Sequence, residues 1–249
     1  MQSSLPSDNA RPFLTWQRIT DWAHAHYRTR TFNQNERIPT RSGLLYLVER
    51  GAVRLVGSAQ GSNSEGSITQ AASSEDLDLE AGDDESVSPL AMGLSEEAFL
   101  GFVGAGQPFE MVAQTPFLLQ SFAHVDQTTV IWLYWNDLDN WPHFRREVLD
   151  AFRYQHQRKL LWLSTLGQRR TIDRLLGFLT LLIEEFGEPC ESGYYLPWTL
   201  THAQIGSAIG STRVTVTRLM GKLRQRQLIH IYKDGLIAIP ANPLTGRDV

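Results

Sequence analysis

The chain has 249 residues, 42% apolar and 10% aromatic, enough for one large or two modest packed domains. Its single cysteine, Cys190, excludes an internal disulfide, a four-cysteine zinc site and a cysteine-held iron–sulfur cluster within one chain, and suits a reducing cytoplasm. The net charge of −4 hides an uneven distribution: residues 1–54 are net +4, residues 55–144 hold fourteen acids and no Lys or Arg, and residues 145–249 are net +6, so the two ends suit different partners.

The N-terminus, "MQSSLPSDNARPF", has no apolar centre and is not a secretory signal. No apolar run approaches the ~20 residues of a membrane span, with "LLGFLTLLI" among the longest, so a cytoplasmic protein without membrane contact is expected. Residues 1–12 read as disordered. Residues 13–27 place Phe13, Trp16, Ile19 and Ala23 at helical spacing. "LLYLVERGAVRLVG" predicts two strands joined as a hairpin, with Gly51 taking a positive φ. Residues 57–97 are rich in Ser, Gly, Asp and Glu, and read as a flexible acidic insertion that cannot bury enough surface to offset its ordering entropy. Strand signals resume in "AFLGFVGAGQPF" and "FLLQSFAHVDQTTVIWLYW", with "GAGQP" as a turn. Short apolar strands between polar turns predict an all-β roll or barrel, closed by Trp141-Pro142.

The period then changes. Trp141, Phe144, Val148, Ala151, Gln155, Trp162 and Leu166 follow 3/4 spacing with one skipped step, predicting a long helix over 143–168. Its apolar seam with a polar middle reads first as a dimer interface, and otherwise as the wall of a bound effector. "TIDRLLGFLTLLIEEFG" predicts a second helix over 171–187, capped by Thr171 and ended by Gly187. "EPCESGYYLPWTL" has short strand character, and "THAQIGSAIG" predicts a helix opening at Thr201 and stopping at Gly210.

Helix 202–209, the turn Gly210-Ser211-Thr212 and a helix from Arg213 predict a helix–turn–helix. Ala203, Ile205 and Ile209 are expected inward on the first helix, and Val216, Leu219 and Leu223 on the second, with Gly206 and Ala208 allowing close approach. Arg213, Val214, Thr217 and Arg218 then face outward at the end that enters a DNA major groove in such motifs. An arginine at 213 can donate twice to guanine O6 and N7. Val214 can only meet a thymine methyl. Ser211, Thr212, Thr215 and Thr217 can bond phosphate oxygens. "LIHIYKDGLIAIP" predicts a wing hairpin whose Lys233 reaches the backbone; Thr201, His202 and Lys222 complete the candidate DNA face. There is no phosphate-binding glycine loop with a lysine, no metal-spaced His/Cys set and no nucleophile elbow, so neither an enzyme, a metal site nor a cofactor is expected.

"ERIPTRSGLLYLVERGAVRL" and "TLTHAQIGSAIGSTRVTVTRLMGKLRQRQLIHIYKDGLIAI" resemble the cyclic-AMP receptor/FNR family of bacterial transcription regulators. Within it, "IGSTRVTVTRLMGKLR" is most similar to the cyanobacterial nitrogen-control branch. The resemblance implies an α+β chain: an N-terminal β-roll of the cyclic-nucleotide-binding, double-stranded jelly-roll type over 13–142, a dimerisation helix over 143–168, and a winged helix–turn–helix over 169–240. It implies a homodimer joined through helix 143–168 that binds double-stranded DNA, with RNA polymerase as a further partner. Arg213 and Arg218 match the family's DNA-contacting arginines. Val214 stands where cyclic-AMP-responsive members have Glu, which implies a GTA…TAC type of palindrome. The roll departs from the phosphate-binding pattern: Gln107 replaces a Glu, and no Arg follows. The candidate effector residues are Gly106, Gln107, Gln155, Arg158 and Lys159. The alternative is a degenerate or protein-interaction roll with no small-molecule effector.

Overall fold

The computed structural model describes residues 16–59, 97–111 and 117–240. The expected disordered N-terminus, Phe13 and most of the acidic insertion lie outside these residues. Helix α1 (Trp16–His26) leads into eight strands: β1 (Arg28–Phe32), β2 (Arg37–Ile38), β3 (Leu44–Arg50), β4 (Ala52–Ala59), β5 (Ala98–Gly104), β6 (Pro108–Phe109), β7 (Phe117–Ala123) and β8 (Thr128–Tyr134). They form two four-stranded antiparallel sheets, ordered β1-β8-β3-β6 and β2-β7-β4-β5. Residues 57–59, expected in the insertion, continue β4.

β3 and β4 do not form the expected hairpin. β3 pairs with β6 and β8, whereas β4 pairs with β5 and β7, so the chain crosses between sheets at Gly51. Gly51 does take a positive φ, +85°. A Cβ there would come 2.6 Å from Thr128 Oγ1, a hydroxyl fixed by Ala52 O and Val125 O. The run "LLYLV" is apolar throughout because both faces of β3 are covered. Tyr46 and Val48 fill the roll with Phe32, Val53 and Val130, while Leu45 and Leu47 pack with Ile131, Leu133 and the following helix.

A 3-10 turn (Trp135–Asn140) feeds α2 (Pro142–Leu166), with proline in the first turn where its missing N–H costs nothing. The seam expected to meet a second copy is spent inside the chain. Phe144, Val148 and Ala151 are buried against the roll, Gln155 Nε2 donates to Pro108 O at 2.9 Å, and Trp162 packs on Phe99 and Phe178. The bare apolar side chains of α2 are Leu149, Leu160, Leu161 and Leu163, up to 61% exposed.

Helix α3 (Thr171–Phe186) follows; Arg170, not Thr171, occupies its N-cap, and Thr171 is its first helical residue. Strands β9 (Glu188–Cys190) and β10 (Gly193–Tyr195), helices α4 (His202–Ile209) and α5 (Arg213–Gln225), and strands β11 (His230–Ile231) and β12 (Ile237–Pro240) complete the fold. The third sheet is ordered β11-β12-β10-β9. Phe99 of β5 belongs to the same buried cluster as Leu175, Ile205, Val216 and Leu223, so the roll and the C-terminal unit share a core.

Candidate nucleic-acid interface

Local capping fixes α4 and α5. Thr201 accepts from Gln204 N at 3.1 Å while Gln204 Oε1 accepts from Thr201 N at 2.9 Å, a reciprocal capping box. Gly210 ends α4 in the left-handed region at φ +62°. Thr212 caps α5, its hydroxyl accepting from Thr215 N at 3.2 Å. The tight turn depends on Gly206: its carbonyl accepts from Ser211 N at 2.9 Å, and a Cβ would stand 2.6 Å from Ser211 O. Ile205, Ala208 and Ile209 are buried from α4, and Val216, Leu219, Met220 and Leu223 from α5. Ala203, expected inward, is exposed: it falls between the buried positions of α4 and faces outward.

Arg213, Val214, Thr217, Arg218 and Lys222 line the outer side of α5; Val214 is 78% bare, while Lys222 keeps a half-exposed neighbour in Gly221. α5 contains no acid, and among the described residues no carboxylate pairs with Arg213, Arg218 or Lys222. The Arg213 charge adds to the positive N-terminal end of the helix, where anions are favoured, while Lys222 stands in the last turn. The hydroxyls are partly engaged. Thr212 Oγ1 also donates to Thr215 Oγ1 at 3.0 Å, and Thr217 Oγ1 donates to Arg213 O at 3.0 Å, 2.8 Å from His202 Nδ1. Thr201 is exposed, whereas His202, Ser211 and Thr215 are half-buried. On the wing, Gly235 takes φ +86° and Asp234 Oδ1 accepts from Leu236 N at 3.3 Å, leaving Lys233 exposed at the tip.

The candidate effector residues divide. Gly106 turns the chain at φ +79°, its N–H donating to Val48 O at 2.8 Å. Gln107 is buried; its Oε1 accepts from Gly104 N at 2.8 Å and its Nε2 donates to Glu185 Oε1 at 2.9 Å. Arg158 donates to Glu185 Oε2 at 3.4 Å, to Glu184 Oε2 at 3.1 Å and to Leu181 O. Gln155, Arg158 and Lys159 line one cavity that Gly106 and Gln107 do not line, although Gln107 reaches its Glu185. Burial pushes the Glu185 carboxyl up, opposed by Gln107 and the Arg158 charge. Sequence reasoning missed Glu185, because a Glu-Glu pair near a helix end reads as a solvated face.

A second joint ties the same two units. His124 Nε2 donates to Thr199 O at 3.1 Å, and its ring lies tilted against Phe102 and edge-on to Trp198. Burial and then the Arg54 charge pull His124 down to about 4, against the Thr199 bond. Ser207 Oγ accepts from Phe99 N at 3.0 Å and donates to Glu97 O at 3.0 Å, docking α4 on β5.

Residues 173–241 match the model of the Crp-like helix-turn-helix domain. The chain is 47% identical over 73 residues to the Global nitrogen regulator of Nostoc sp. strain PCC 7120, a stretch that is 29% of this chain and 33% of that protein. The matched part thus spans about a third of that curated relative. A CRP-family transcriptional regulator from Thermus thermophilus superposes with a TM-score of 0.57 at 19% identity, covering 85% of this chain and 91% of that one. A cyclic nucleotide-binding domain containing protein from Listeria monocytogenes gives 0.64 at 12% identity, covering 90% and 97%. At such identities the two structures speak for the fold. Residues 173–241 are thus similar to the Crp-like helix-turn-helix domain, on a chain whose α+β fold is like that of the solved CRP-family regulator.

Proposed function

We propose that the chain is a DNA-binding transcription regulator of the Crp/FNR type, acting in the cytoplasm as a homodimer on a palindrome of GTA…TAC type. The first turn of α5 carries this reading. Val214 is 78% exposed between Arg213 and the other outward side chains of a basic helix, so it has no packing role within the chain. A thymine methyl is the partner such a side chain fits, and a guanine edge is the partner for Arg213. Arg218, Lys222 and Lys233, with Thr201, His202, Ser211, Thr212, Thr215 and Thr217, face the phosphates. Leu149, Leu160 and Leu163 recur on one face of α2, eleven and then three residues apart, and fit the same stripe of a second copy around a two-fold axis. At a promoter, the protein partner of the bound dimer is RNA polymerase.

In this reading the half of the roll from β5 to β8 supplies no cation to an anionic effector. Residues 97–144 contain no Lys or Arg, and the amide of Gln107 is spent on Gly104 and Glu185. A buried phosphate or dicarboxylate would draw no counter-charge from that segment, and Arg54 of β4, half-buried beside His124, is the cation the roll holds near it. The test of DNA reading is an electrophoretic shift on a duplex with half-sites ~10 bp apart, centre to centre. Arg213→Ala is expected to weaken binding by ~1–3 kcal/mol and to relax the guanine position. Undiminished binding by that variant overturns the assignment.

A further inference from the structure

His202 opens α4 and is half-buried beside the outer side of α5. Its Nδ1 lies 2.8 Å from Thr217 Oγ1, and that hydroxyl donates to Arg213 O at 3.0 Å. A hydroxyl has one hydrogen, and a carbonyl oxygen can only accept. With that hydrogen spent on Arg213 O, the bond between ring and hydroxyl is made by the Nδ1–H of His202. A neutral imidazole carries a single N–H, so Nε2 is left with a lone pair. Nε2 makes no hydrogen bond among the described residues.

A lone pair is the wrong group to present to DNA, because a phosphate oxygen also accepts. A proton added at Nε2 turns that opposition into a charge-assisted hydrogen bond. The charges around His202 leave this role to the phosphate. Within α4 it is the only titratable side chain. The charged side chains of α5 are all cations: Arg213, Arg218, Lys222 and Arg224. On α3, Arg174 bonds Ile209 O at the opposite end of α4, with Asp173 beside it in sequence, while Glu184 and Glu185 are paired with Arg158. Strand β5 carries no charge, and Glu97 before it meets α4 at Ser207 through its carbonyl. Among the described residues no carboxylate forms an ion pair with His202. Histidine is the side chain whose charge changes near physiological pH, so the proton is within reach.

We propose that His202 enters the DNA complex as an imidazolium, so that each protomer takes up a proton when its ring meets a backbone phosphate. This rests on the DNA-binding reading above and adds a proton to it. The proton comes from solvent and forms the Nε2–H bond; the ring and the phosphate stay non-covalent. Thr217 is the positioning residue: by accepting from Nδ1 it fixes the tautomer that makes the proton necessary. The bound state holds more protons than the free state, so affinity rises as pH falls.

The full-length protein is titrated with a labelled GTA…TAC duplex at pH 6 and pH 8 and constant ionic strength, with Kd read by anisotropy. Calorimetry at pH 7 in buffers of different ionisation heat counts the protons taken up. Affinity is expected to be about five- to tenfold tighter per protomer at pH 6 than at pH 8. His202→Gln is expected to lose most of that difference, and His202→Lys, with a fixed charge, to bind at pH 8 about as the unaltered chain does at pH 6. Thr217→Val lets His202 present an Nε2–H without a proton, and is expected to shrink the pH dependence with His202 still in place. In the free protein at pH 8, ¹⁵N spectra of the histidine-labelled chain are expected to show His202 in the Nδ1–H form, assigned by its loss in His202→Gln. An Nε2–H form, or a pH dependence as large in His202→Gln as in the unaltered chain, overturns the proposal and leaves the DNA reading standing. Binding by the unaltered chain with no proton uptake does the same, whether or not the variants fold. No binding to the duplex at either pH overturns the DNA reading and this proposal together.

Discussion

Replacing Arg158 by Met removes the cation from a carboxylate that the fold has buried. The Arg158 and Glu185 side chains are only 15% and 13% exposed, and Glu185 sits on α3, the first helix of the C-terminal helix–turn–helix unit. Breaking such a pair costs about 3–5 kcal/mol when the remaining charge must stay. Glu185 has an escape, which is to take up a proton. For a carboxyl with an ordinary pKa of 4.5, protonation at pH 7 costs about 2.5 pH units at 1.36 kcal/mol each, roughly 3 kcal/mol, and at pH 5 below 1 kcal/mol. The cheaper route sets the loss. Arg158→Met is therefore expected to lower stability by about 3 kcal/mol at pH 7, some 6–12 °C in Tm, and by under 1 kcal/mol at pH 5. The sign follows from proton binding. A carboxyl raised above its unfolded value holds more protons in the native state, so its native form is favoured at low pH and loses ground as pH rises. Scanning calorimetry at both pH values, with Arg158→Met/Glu185→Gln beside the single variant, measures this; the double variant is expected to recover most of the loss. A pH-independent loss, or one below 1 kcal/mol at pH 7, would refute the reasoning.

His124 makes the opposite demand. It is held neutral at about 4 in the fold but titrates near 6.5 when unfolded, so the unfolded chain protonates first. Stability is expected to fall by up to about 3 kcal/mol as pH drops from 6.5 to 4, and His124→Gln to remove that slope in urea titrations. Gly206→Ala forces a Cβ against Ser211 O and is expected to cost about 1–3 kcal/mol in a thermal melt, with DNA binding impaired in proportion. If Leu160 and Leu163 join two copies, Leu160→Glu/Leu163→Glu halves the mass seen by light scattering, and an unchanged mass rejects that interface.

Among the described residues, three polar joints between the roll and the helix–turn–helix unit are chemically distinct. Gln107–Glu185–Arg158 ties the turn before β6 to α2 and α3, His124–Thr199 ties the roll to the segment before α4, and Ser207 ties α4 to β5. Each is a polar contact set in an apolar surround, so its strength responds to the loss of one partner more than to the mean area buried.

The sequence alone determined the features that short-range rules govern. The bounds of α4 and α5 were legible because Thr201, Gly210 and Thr212 act within three or four residues of themselves, and the basic outward face of α5 follows from helical period. The order of roll, long helix and helix–turn–helix was legible from changes in that period. Only the tertiary structure decided which surface each face would meet. It sent β3 and β4 to different sheets across Gly51, turned the Phe144–Val148–Ala151 seam onto the chain's own roll, and buried Glu185 against Gln107 and Arg158. Periodicity states that a face is apolar, and local chemistry states that a side chain is charged. Neither specifies the partner, because the partner lies dozens of residues away and is selected by the packing of the whole chain.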